Sequence, residues 1–111
     1  MATDNRRNGG APGEVKHIEL LLPQPKFELG MVMITKNALT SLTPADVANG
    51  IGRHVVGDWG DIDRFYRGQN EIGLREGGRL LSAYRSSGGI SFWISTEWDR
   101  SYTTVLLPED Y

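Results

Sequence analysis

His54 stands three residues ahead of Gly57-Asp58-Trp59-Gly60. An imidazole titrates near neutrality, so a histidine closing a helix beside a glycine-rich turn can act as a general acid or base. It can equally well spend its ring on one hydrogen bond to a carbonyl. Arg79 and Arg85 form a second cluster, with Arg100 in the following loop. Alternate strand positions share a face, which puts Arg79, Leu81 and Arg85 on one side. Guanidinium groups fixed there can grip a phosphate with two parallel bonds, or pair with Glu97 and Asp99. The stretch from Arg53 to Tyr111 holds seven Arg against nine Asp+Glu, so internal pairing is the default. A third cluster, Thr96 to Thr104, crowds hydroxyls, charges and aromatic rings. Trp93 alternates outward from Phe92 and Ile94, and Trp98 stands in the loop. Exposed, the two rings suit a partner surface or a stacked base; covered by a helix, they are core.

The remaining chemistry narrows quickly. Without Cys, disulfides, thiolate metal sites and cysteine nucleophiles are excluded. The two histidines, His17 and His54, have no H-x-x-x-H spacing, so neither a metal nor a cofactor is expected. No phosphate-binding loop, dinucleotide glycine motif or G-x-S-x-G elbow occurs. A formal charge of −2 disfavours nucleic acid as a partner. Apolar runs last a few residues, far below the ~20 that span a bilayer, and no leader opens the chain. The expectation is a soluble cytoplasmic protein without membrane contact.

These groups must be positioned by one domain of residues 15–111, preceded by a tail, residues 1–14, too polar to offset its ordering entropy. Ile18 to Leu22 is a short apolar stretch stopped by Pro23, an edge strand or a short helix. Met31 to Thr35 is apolar on both faces, which suits a strand inside a sheet. Thr43-Pro44-Ala45-Asp46 is a capping box with Pro at the first helical position, and Val47, Ile51 and Val55 repeat as a buried stripe. Gly50 and Gly52 weaken that helix and predict an early stop. A second helix starts near Asp61 or Asp63, buries Ile62, Phe65, Tyr66 and Ile72, and ends at Gly73 or at Gly77-Gly78. Trp59 between glycines predicts a tight turn with an anchored ring. From Arg79 the period becomes two: strands over Arg79–Arg85, Ile90–Thr96 and Tyr102–Leu107, with a hairpin turn at Ser86–Gly89. The fold class is α+β, an antiparallel β-meander of three to five strands with two helices packed on one face.

The C-terminal part carries a recognisable pattern: His54-x-x-Gly57-Asp58-Trp59-Gly60, then Glu76-Gly77-Gly78-Arg79-Leu80-Leu81-Ser82-x-Tyr84, then Trp93-Ile94-x-Thr96-Glu97-x-Asp99-Arg100-Ser101 and a T-T-V-L-L-P-E-x-Y ending. Over residues 30–111 it resembles a family of small uncharacterised bacterial proteins carried on plasmids and integrated elements. Some of these are labelled modification subunits of type I restriction enzymes. This chain is too short for a methyltransferase domain and lacks both N-P-P-[FY] and a methyl-donor glycine motif. The resemblance implies a genomic context rather than an activity. The leading expectation is a non-enzymatic interaction or accessory module of a mobile element. It would contact another macromolecule through Trp93, Trp98, Arg100, Arg79 and Arg85. An unpaired edge strand near Leu20 or Leu106 would allow a homodimer, although Pro23 and Pro108 are placed to blunt that edge. The alternative is a small metal-independent ribonuclease of barnase- or RelE-like architecture, with His54 as base and Arg79, Arg85 and Thr96 around the phosphate.

Overall fold

The computed structural model describes residues 24–111; the tail and the apolar stretch at Ile18–Leu22 lie outside the described residues. Strand β1 (Met31–Ile34) leads to the short helix α1 (Lys36–Ser41), then α2 (Pro44–Val55) and α3 (Arg64–Glu76). Strands β2 (Leu80–Arg85), β3 (Ser91–Thr96) and β4 (Tyr102–Leu106) follow, closed by a 3-10 turn at Pro108–Asp110. The sheet order is β1-β4-β3-β2. β2, β3 and β4 form the expected antiparallel meander, and β1 adds to β4 in parallel. The α+β class holds, although the sheet is mixed rather than a pure meander. No helix among the described residues is long and apolar enough to cross a membrane.

Local chemistry explains the helices. Thr43 and Asp46 form the capping box, each side chain bonding the other's backbone N–H. Asp46 also receives the Ser87 N–H, which ties α2 to the β2–β3 turn. The helix runs through both glycines to Val55. At Gly50 a Cβ would stand 2.9 Å from the Phe92 ring, so this glycine lets α2 lie close on the sheet instead of ending it. Asp63 caps α3, and Gly77 at φ 81° ends it. Helix α1 has no counterpart in the sequence expectation; Thr35 caps its six residues by accepting the Ala38 N–H.

Helices α1 and α2 cover one sheet face, where Ala38, Leu42, Val47 and Ile51 meet Tyr84, Phe92, Ile94 and Val105. Helix α3 runs instead along the free side of β2. It presents Asn70 and Gly73 inward, and a second cluster gathers Trp59, Ile62, Leu80 and Leu81 with Leu74. Phe65, Tyr66 and Ile72, expected to be buried, are exposed. A helix at a sheet edge has a narrower inward face than one lying across it. β1 departs from expectation too: it is an edge strand whose Met31, Val32 and Met33 remain exposed. Because it pairs with β4, the strand that ends at Leu106 is interior and not the edge expected there.

Candidate binding groove and the buried histidine centre

Helix α2 carries His54 into the core, where the ring is fully buried. Its Nδ1 lies 2.5 Å from Ser82 Oγ and its Nε2 2.8 Å from Thr96 Oγ1. Thr96 Oγ1 is 2.7 Å from Thr103 Oγ1, whose hydroxyl donates to the Leu29 carbonyl at 2.7 Å. The Leu29 carbonyl can only accept, and that sets the direction of the chain. Thr103 gives its hydrogen to Leu29 and so accepts from Thr96. Thr96 accepts from His54 Nε2–H, and Nδ1 accepts from Ser82. One chain of hydrogen bonds thus crosses the sheet from β2 to the residue pair leading into β1. Burial, and after it the charge of Arg100, pushes the ring down to about 4, so it is neutral at pH 7. Phe27 and Trp59 enclose it edge-on, at 5.2 and 5.7 Å.

This arrangement gives the ribonuclease reading no support. His54 and Thr96 consume each other's hydrogen-bonding capacity inside the core, with no solvent path to a ribose hydroxyl. Arg79 and Arg85 belong to the opposite face by strand alternation. Arg85 bonds the Gly89 carbonyl at the hairpin, and Arg79 reaches Tyr111 and Glu97. The four residues do not meet.

Arg100 is committed to structure as well. Its backbone sits at φ 62°, and its guanidinium donates to the carbonyls of Gly78 (2.6 Å), Gly73 (2.9 Å), Glu97 (3.0 Å) and Trp98 (3.2 Å). The cation thereby closes the C-terminal end of α3, where the helix dipole favours positive charge. Trp98, at 66 % exposure, projects from the same loop as a lone ring.

Two of the expected binding residues do come together. Trp93 packs edge-on against Tyr111 at 5.3 Å, and Arg79 Nη1 donates to the Tyr111 hydroxyl at 2.5 Å. Tyr111 and α3 wall a groove of about 620 Å³ lined by Phe65, Tyr66, Ile72, Arg79, Leu81 and Tyr111. Past Tyr66 and Tyr111 it opens into a smaller hollow floored by Ile62, Ala83 and Trp93. Phe65 (66 %) and Tyr111 (64 %) are largely exposed at its rim. The sequence reading missed Phe65, Tyr66, Ile72 and Tyr111 as site residues. Their signal was present: Phe65, Gln69, Ile72 and Glu76 form one helical stripe, distinct from the Asn70–Gly73 stripe that faces β2. Tryptophan Trp98 and the arginines Arg85 and Arg100 lie outside this groove. Among the described residues no group of three His, Asp or Glu side chains converges as a metal site would require.

No protein-family model matches the chain, and neither does a curated protein or a solved structure.

Proposed function

We propose that this chain is a non-enzymatic interaction module that seats an apolar segment of a partner protein in the groove beside α3. The observation that carries the reading is the exposure of Phe65, Tyr66, Ile72 and Tyr111 around one concave site. Aromatic side chains rimming a groove offer large contact area at low entropic cost, which is how interface anchors work. Arg79, held by Tyr111, adds one oriented donor for a carbonyl or carboxylate of the incoming segment. A polyanion fits poorly, because Glu76, Asp61 and Asp63 share the lining with that single cation. The resemblance of residues 30–111 to proteins of plasmids and integrated elements supports an accessory role for a mobile element, acting in the cytoplasm.

The test uses a photo-activated cross-linking residue at Ile72, with the same residue at the exposed Trp98, outside the groove, as control, in the producing cell. The expected result is a discrete protein adduct from position 72 that disappears when Tyr111→Ala is added. With the adduct's partner in hand, Phe65→Ala and Tyr111→Ala should each weaken binding by roughly tenfold or more, the range for aromatic anchors. Identical adducts from both positions, or none from position 72, would overturn the reading.

A further inference from the structure

The edge at β1 lies on the other side of the molecule and is self-complementary. β1 pairs with β4 through the N–H groups of Met31 and Thr35, which donate to Ser101 and Val105. Alternation then turns the N–H and C=O of Val32 and Ile34 away from the sheet, where no described residue meets them. Native sheets blunt such edges with Lys, Pro or a bulge. Met31-Val32-Met33-Ile34 contains none of these. Behind it, an uncharged groove of about 420 Å³ runs between β1 and the helices, lined by Val32, Ile34, Leu39, Leu42, Val47 and Ile51.

We infer that the occupant of this edge is a second copy of the chain, joined β1 to β1 in antiparallel fashion about a twofold axis at Met33. In this register Val32 lies opposite the partner's Ile34, and the outward groups of both residues exchange four hydrogen bonds. The result is one continuous sheet of eight strands, four from each copy. A register centred on Val32 would need Gly30 in strand geometry, and Gly30 sits at φ 65°.

Charge favours the same arrangement. The described residues form two ion pairs, Arg53–Asp58 and Arg79–Glu97, so Glu28 before β1 and Lys36 after it are unpaired. Lys26 is turned away, its stem against Gly57. Antiparallel pairing brings Lys36 of each copy to the Gly30 end of the other, two residues from Glu28. Parallel pairing would set like charges side by side.

Because Met33 falls on the axis, it is the residue to change. The expected behaviour of the full chain is a reversible dimer in sedimentation at tens of micromolar. Met33→Lys and Met33→Glu should each be monomeric, and an equimolar mixture of the two should recover the dimer. The chain has no cysteine, so Met33→Cys adds a clean probe. Opposed residues in a non-hydrogen-bonded pair stand about 4.5 Å apart at Cα, within disulfide reach. Mild oxidant should link Met33→Cys promptly and Met31→Cys far more slowly, since residue 31 has no twofold neighbour. A monomer at a few hundred micromolar, equal linking at 31 and 33, or no recovery in the mixture would overturn the inference. So would a monomer whose Val32 and Ile34 amides are protected from exchange, which would assign the edge to residues 1–23 of the same chain.

Discussion

At the β2 edge of the sheet, the outward N–H and C=O of Leu81 meet the Asn70 amide, which accepts at 3.0 Å and donates at 2.8 Å. Two residues on, the Ala83 N–H donates to the Trp59 carbonyl and its C=O accepts from Asp61. A side-chain amide and a short backbone bridge thus stand in for a fifth strand. At the β1 edge the equivalent groups of Val32 and Ile34 meet nothing among the described residues. The difference shows what decides whether an edge is closed from within. Trp59, with its indole N–H on Glu71, and Gly60 at φ 72° bring the chain alongside β2, where a Cβ at Gly60 would strike the Ala83 carbonyl. β1 is preceded by a glycine turn and followed at once by α1, and neither element runs beside it.

The closed edge should be costly to open. Asn70→Ala leaves a buried N–H and a buried C=O without partners, each worth about 1–3 kcal/mol. We predict a loss of about 4 kcal/mol in urea unfolding. Asn70→Asp keeps the acceptor for Leu81 N–H but sets a second acceptor against the Leu81 carbonyl, so its loss should grow as the pH rises and the buried carboxyl ionises. A loss from Asn70→Asp that does not change between about pH 5 and 8 would show that the amide's volume and not its bonding matters.

Acid attacks the tie that spans both edges. The His54 ring ordinarily titrates near 6.5 and is held near 4 in the folded protein. The unfolded chain therefore takes up the proton first. Stability is full above about pH 6.5 and falls as the pH drops toward 4, by at most about 1.4 kcal/mol per pH unit and about 3 kcal/mol in all. Unfolding free energies from pH 7.5 to 4.5 check this, and a profile flat across that window would refute the neutral buried ring.

The open edge should be nearly silent in the monomer. Met31→Lys, at a side chain 68 % exposed, should change monomer stability by less than about 0.5 kcal/mol in dilute solution. A loss comparable to that of Asn70→Ala would mean that β1 is packed against something.

What was legible in the chain follows the same divide between local and distant causes. Thr43-Pro44-Ala45-Asp46 specifies its own helix start, the period-two run after Arg79 specifies its own hairpin, and Gly-Asp-Trp-Gly announces an anchored ring. Nothing within Met31–Ile34 says that its neighbour is a strand some seventy residues later, so a run apolar on both faces read as an inner strand. Phe65, Tyr66 and Ile72 read as a buried stripe because helical periodicity does not reveal whether a helix lies across a sheet or beside it. The groove went unseen for that reason. His54 beside a glycine turn suggested chemistry, yet its partners Ser82 and Thr96, and Thr103 behind Thr96, come from three later strands. Asn70, the residue that closes one edge, carries a weak local cue as a poor helix former in mid-helix.

Amide hydrogen exchange, read residue by residue, tests the contrast between the edges most directly. In dilute protein at pH 7 the amide of Leu81 should exchange as slowly as the core strands, and those of Val32 and Ile34 rapidly. Raising the concentration should slow Val32 and Ile34 alone. Protection of these two amides independent of concentration, or fast exchange at Leu81, would contradict the account.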